Sequence, residues 1–147
     1  MSGHIAMRLS HAKTALTVLL LATAAGCSNT TPEPEGTGAA EAAQEYCDAV
    51  VRGDWTRAYA GLDASSRQRL SEQQFTRLIR KHWQAIGFEP QEARVRSCEE
   101  HGAEAIAHVV LTGHAASRLR FYKDAVVLRR SATGWGVVLS PASGQVR

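Results

Sequence analysis

The sequence predicts an α+β domain in which three helices pack on a curved, four-stranded antiparallel sheet. Apolar residues recur at helical spacing as far as Ile86, and beyond Pro90 the period shortens to about two. Turn residues then divide the second half into four strand-length pieces, and no internal repeat is visible. Helices first and strands afterwards imply segregated layers around one core rather than alternating βα units.

The first 38 residues stand apart from that domain. Arg8, His11 and Lys13 precede an apolar block, Thr14 to Ala25. A membrane-crossing helix needs roughly 20 apolar residues, so this shorter block fits the core of a secretory signal. Ala24-Ala25-Gly26-Cys27 follows and resembles the lipobox of bacterial lipoproteins, with Ala24 standing where leucine is commonest. The resemblance implies that residues 1–26 are removed and that Cys27 is acylated. The alternative is a plain secretory signal with Cys27 an incidental thiol. Residues 27–38 hold both prolines of the region and no apolar periodicity, which predicts a flexible tether. Extended, such a tether keeps a domain within roughly 35 Å of the bilayer.

Loss of the signal changes the charge balance. The whole chain carries 17 basic and 14 acidic residues, but without Arg8 and Lys13 the mature part has 15 against 14. That balance gives no electrostatic case for nucleic acid. Ser28 to Asp63 holds two basic and seven acidic residues, and Ala64 to Arg147 holds 13 and seven. Internal complementarity and solvated faces account for this asymmetry more simply than an anion-binding surface does.

The domain proper is expected over residues 39–147. Ala42, Ala43, Tyr46, Ala49 and Val50 form the apolar stripe of a helix from Ala39 to Arg52, stopped by Gly53. Asp54 is placed to cap a second helix, Trp55 to Leu62, whose one face carries Trp55, Tyr59 and Leu62. Ser71 and Gln74 have the spacing of a capping box, and Leu70 and Phe75 that of a hydrophobic staple. The third helix then buries Phe75, Leu78, Ile79, His82 and Ile86 and ends at Gly87. Strands are predicted at Glu92–Glu99, Ala103–Thr112, Arg118–Arg130 and Trp135–Leu139, with turns at His101-Gly102, Gly113 and Thr133-Gly134.

With Cys27 acylated, Cys47 and Cys98 remain in an oxidising compartment, where paired cysteines are usually bridged. Cys98 shares strand parity with Arg94 and Arg96 rather than with Val95, so a bridge requires a bulge or strand end to turn it toward the helix. Two separately packed thiols are the alternative.

"YCDAVVRGDWTRAYAGLD", "SEQQFTRLI" and the closing "GWGVVLS" together resemble the NTF2-like superfamily over residues 39–140. The resemblance implies a cone-shaped fold whose mouth can hold a pocket. Its ketosteroid-isomerase and SnoaL-like enzymes use a pocket carboxylate with a tyrosine or histidine donor, chemistry that needs a base of raised pKa and a donor aimed at the enolate oxygen.

Asp124 is the carboxylate of the last two strands, and a carboxylate paired with Lys123 and nearby arginines, or one at a strand edge, is its expected state. Tyr46 is a possible donor, with a core tyrosine as the simpler reading. His108 shares a face with Ile106 and Val110, so it is a third weak pocket candidate. Trp55, Tyr59, His82 and Trp83 are candidates to line the mouth. No His-x-His, His-x-x-x-His or Cys-x-x-Cys spacing occurs, so no metal and no cofactor are expected. Phosphate loops and nucleophile elbows are absent from the sequence.

The expected function is a membrane-anchored, extracytoplasmic lipoprotein with a non-enzymatic binding or scaffold domain in the cell envelope. Its partners would be the membrane through the lipid and an envelope protein or small apolar ligand. A cofactor-independent isomerase or lyase is the alternative from another class. A domain associated with cell-wall enzymes, like that of some transpeptidases, is a third.

Overall fold

The computed structural model describes residues 36–139. The expected signal, Cys27 and most of the tether lie outside the described residues. Pro34–Arg147 forms one compact unit, and the whole hydrophobic core falls inside it. Among the described residues no helix is long and apolar enough to cross a membrane.

Helix α1 spans Ala39–Arg52, as its apolar stripe predicts, and Gly53 stops it at φ 70°. Its Ala43, Tyr46, Cys47, Ala49 and Val50 are buried, mainly against the first strand. Helix α2 covers Trp55–Ala60, with the Asp54 carboxylate accepting from the Arg57 N–H at its start.

A helix that the sequence reading does not contain follows, α3 at Ala64–Arg69. Asp63 caps it by accepting from Ser66 N–H, and burial of that carboxylate is outweighed by hydrogen bonds from Ser65 and Ser66 and by Arg129, which lower its pKa. Fully buried Ser66 takes the Leu139 N–H on its hydroxyl at 3.0 Å, tying α3 to the end of the sheet. The predicted third helix is therefore the fourth, α4 at Glu72–Ile86, and the Ser71–Gln74 capping box is formed in both directions. Of its expected buried stripe only Phe75 is fully buried; Leu78, Ile79, His82 and Ile86 are half-covered.

Four strands make an antiparallel meander in the order β1 (Glu89–His101), β2 (Glu104–Ala115), β3 (Arg118–Ser131) and β4 (Gly134–Val137). Each begins within a few residues of its predicted place, but β1 and β2 run longer than predicted. The helices cover one face, where Ala93, Ala105, Ala107, Val109, Leu111 and Leu128 are buried. The register of β1 slips between Val95 and Ser97, leaving Arg96 as an extra residue. That bulge reverses the alternation and turns Cys98 toward the core, against which it packs half-buried. Gln44 of α1 holds the strand just before it, donating to Ala93 O at 2.8 Å and accepting from Val95 N–H at 2.9 Å.

Gly113 corrects the sequence reading. It lies inside β2, paired with Pro90, rather than in a turn. The turn falls later, at Ala116 and Ser117, which both adopt positive φ, 49° and 63°. A two-residue hairpin loop of this kind suits Asn-Gly, because a Cβ in the left-handed region crowds the backbone. Replacing Ala116→Asn with Ser117→Gly is expected to stabilise the domain by about 1–2 kcal/mol. A rise in the urea midpoint at unchanged m-value checks this.

Candidate functional site

An open cleft of about 1050 Å³ lies where the C-terminal ends of α1 and α4 meet the β2–β3 hairpin. Each boundary follows from local chemistry. Gly53 and Gly87 end the two helices in left-handed conformations, at φ 70° and 61°, and so let the chain turn away and leave the space between them. Trp55 projects from the start of α2, Trp83 from the last turn of α4, and Phe88 from the link to β1. Glu89, His114, Ala116 and Ser117 form the opposite wall.

The walls combine three aromatic rings, Trp55, Trp83 and Phe88, with the charged Arg52, Arg80 and Glu89. The Arg80 guanidinium carbon stands 5.3 Å from the Trp55 ring centre, a cation–π distance. Trp83 packs against Phe88 at 5.7 Å and against Tyr122 of β3 at 5.8 Å, the latter edge to face. Among the described residues the Trp83 indole N–H is buried with no hydrogen-bond acceptor.

Of the four expected mouth residues, Trp55 and Trp83 stand on the cleft wall. His82 meets Trp83 edge-on at 5.0 Å and does not line the cleft. Tyr59 is elsewhere: its hydroxyl donates to Leu70 O at 2.8 Å and its ring packs on Phe75, so it braces α3 against α4.

The three acid–base candidates separate. His108 is corrected. Alternation with Ile106 and Val110 is right, but that face is the outer one, because Ala105, Ala107, Val109 and Leu111 take the helix side. His108 is exposed, away from the cone interior. Asp124 is paired in register with buried Val109 and therefore faces inward, while Lys123 faces out. Among the described residues no ion pair forms at Asp124, so of its two expected states the exposed strand-edge carboxylate fits; it accepts from the adjacent Ala125 N–H at 2.8 Å.

Asp124 stands near enough to Tyr46 to act on its ionisation. Burial first, then Cys47 and Asp124, push the Tyr46 hydroxyl well above its ordinary value, so it stays protonated. Burial and Asp124 raise Tyr122 in the same way. An exposed carboxylate thus shares the inner side of the sheet with two protonated phenols. None of the three lines the cleft.

Cys47 and Cys98 are free thiols. The bulge that a bridge requires is present, and the bond is not. Burial, followed by Asp124 and Asp48, pushes the Cys47 thiol up to about 12, which leaves it a packed apolar group rather than a nucleophile. Among the described residues no three His, Cys, Asp or Glu side chains gather into a metal site.

The solved structures that this chain resembles include an NTF2-like transpeptidase from Campylobacter jejuni. The two share 13% identity, a TM-score of 0.51, 68% of this chain and 96% of the other. That likeness supports an NTF2-like fold. A SEC-C motif containing protein from Rhodopseudomonas palustris also matches, with 13% identity and a TM-score of 0.48 over 62% of this chain and 67% of the other. No protein-family model and no curated protein matches the chain.

Two of the three aromatic side chains on the cleft wall are legible in the sequence. Trp55 and Trp83 stood out as large aromatics next to helix ends. Phe88, Arg80 and the hairpin residues were missed, because their approach depends on how the helices end in space and on a β2 strand that runs past Gly113.

Proposed function

We propose that this chain is a membrane-anchored, extracytoplasmic lipoprotein whose NTF2-like domain binds a small, largely apolar ligand in the aromatic cleft and catalyses no reaction. The cleft carries the reading. It has the volume of a small-molecule site, its walls include Trp55, Trp83 and Phe88, and the inward carboxylate and phenols lie outside it. Arg80 and His114 offer polar contacts that orient a ligand. The anchor rests on the Ala24-Ala25-Gly26-Cys27 pattern and the short apolar block before it.

The binding claim is tested with an anilinonaphthalene sulfonate dye, whose fused ring and single anion match aromatic walls beside Arg80. Binding near one dye per chain is expected, and Trp55→Ala should weaken it by about tenfold or more, as for loss of one buried aromatic contact. Equal affinity in Trp55→Ala would remove the cleft as the site. The anchor is tested by intact mass of the membrane-extracted protein: a chain beginning before Cys27, or lacking the acyl mass, rules it out.

A second reading draws on Asp124, Tyr46 and Tyr122. A carboxylate sharing the inner side with protonated phenols supplies the groups for removing a proton beside a carbonyl. Deuterium incorporation next to the carbonyl of a cyclic ketone, lost in Asp124→Asn, would favour this isomerase reading over the binding one. The transpeptidase description of the Campylobacter structure also suggests a cell-wall partner, for which co-purification with wall enzymes is the test.

A further inference from the structure

The outer face of the sheet carries the domain's exposed large apolar side chains. Leu119 and Phe121 of β3 are 57% and 69% exposed, against 39% for Ile106 and 40% for Val127. Register places all four on one face, since Phe121 pairs with Thr112 and Val127 with Ile106. Exposure therefore rises toward the β2–β3 hairpin tip. Isolated surface hydrophobes need no explanation, but an aligned stripe does.

Charge sorts across the same surface. From Ala105 to Lys123 there is no Asp or Glu, and along the edge from Arg118 to Val126 the basic Arg118, Arg120 and Lys123 outnumber the one acid, Asp124, beside the two most exposed apolar residues. The acidic residues that β1 places in register with the outer face, Glu89, Glu92 and Glu99, sit at the other edge, and Glu104 is paired with Arg129 at 3.3 Å. Among the described residues β4 pairs only with Leu128–Ser131, and none pairs with β3 from Arg118 to Val126 on that side. Leu119, Phe121 and Lys123 point to the outer face and Arg118, Arg120 and Asp124 to the other, all along the same edge strand.

We propose that this edge of β3 docks on an anionic phospholipid surface, with Leu119 and Phe121 entering the headgroup layer and Arg118, Arg120 and Lys123 meeting lipid phosphates. Apolar residues that insert beside basic residues that stay at phosphate level are the pattern of interfacial binding. At headgroup depth water still satisfies the unpaired strand backbone, whereas the hydrocarbon layer would not. A second copy stacked on the stripe fits less well, because it would desolvate Lys123 midway along it. Lipid lets that ammonium reach outward while its stem stays buried.

Geometry fixes the orientation. Thr37, where the tether enters, hydrogen-bonds Glu100 at the far end of β1 from the hairpin. From Glu89 to Glu100 the strand spans about 37 Å, close to the full extension of the tether after Cys27. An upright domain would stretch that tether to its limit, while one lying along β3 brings tip and tether to the same bilayer. This orientation rests on the proposed anchor; the docking residues do not. Ala116 and Ser117 belong to both the tip and the cleft wall, so docking brings the cleft mouth to the lipid surface.

The test uses Pro34–Arg147, the compact unit that contains the whole core and lacks Cys27, with sedimented vesicles of phosphatidylcholine alone or mixed equally with phosphatidylglycerol. Binding to the anionic vesicles only, abolished by high salt, is expected. Leu119→Ser with Phe121→Ser should lower the partition constant about tenfold or more. Arg118→Gln, Arg120→Gln and Lys123→Gln together should lower it roughly a hundredfold. Both variants change exposed positions, and an unchanged melting temperature verifies that they fold. The proposal falls if the wild-type unit stays in the supernatant, or if the variants bind as it does. It falls equally if light scattering shows a dimer that the Leu119/Phe121 variant dissociates while vesicles bind neither protein. Because Cys27 is absent from the tested unit, none of these results bears on the lipoprotein reading.

Discussion

Gly113→Ala is expected to cost about 3 kcal/mol or more and to lower the melting temperature by more than about 10 °C. A Cβ at this position would collide with the Glu89 carbonyl oxygen and stand 2.8 Å from both the Glu89 carbonyl carbon and the Pro90 Cα. All three are backbone atoms of a paired strand, so no flexible side chain can move aside. Relief would require β1 to lift from β2 at the end where the register already slips, between Pro90 and Glu92. Glu89, Pro90 and His114 all line the cleft, so the same displacement should also weaken dye binding.

Gly102→Ala provides the contrast. Gly102 has φ 64° but nothing within 4 Å of its missing Cβ, so only the left-handed backbone penalty of about 1–2 kcal/mol applies. Thermal unfolding followed by far-ultraviolet circular dichroism separates the two cases. Equal losses at both positions would show that the strand approach at Gly113 is not as close as described.

Gly113 also shows where sequence reasoning stops. A glycine between apolar runs reads as a turn, because turn glycines are common and the partner strand is invisible. Here it is required by close approach of another strand. Helix signals were more legible, since they are local. Ser71 and Gln74 interact within one turn of chain, and Gly53 needs only its own backbone conformation. Helix α3 escaped for a related reason: Asp63 caps it, but Ser65, Ser66 and the arginines that follow carry no apolar stripe. Its place is fixed by Ser66 reaching Leu139, 73 residues away.

The faces of the sheet were the least legible feature. In β2 the residues Ile106 and Val110 are as apolar as Ala107 and Val109, so alternation alone could not say which set meets the helices. That choice sent His108 outward, and the register of β3 sent Asp124 inward. The Arg96 bulge reversed Cys98 in the same way. Sequence parity supplies relative orientation; helix packing supplies the sign.

Phe75→Ala is expected to have the largest effect on stability, about 3–5 kcal/mol. Phe75 is fully buried and is the one residue of α4 so covered. Its ring sits 6.4 Å from that of Tyr46 on α1 and 6.0 Å from that of Tyr59 on α2, so a single side chain joins three helices. Truncation would leave a cavity that tilted aromatic neighbours held by their own contacts cannot close, since the Tyr59 hydroxyl is fixed by Leu70 O. At its other end α4 rests on Trp83 against Phe88 and Tyr122, which is half-exposed packing. Loss of Phe75 therefore removes the deep fixing point and leaves a shallow one. Urea unfolding followed by tryptophan fluorescence should show the midpoint drop, and Phe75→Leu should recover most of it. If α4 were held mainly at its Trp83 end, the Phe75→Ala loss would fall below about 2 kcal/mol, the lower limit for such core truncations, and Trp83→Ala would exceed it.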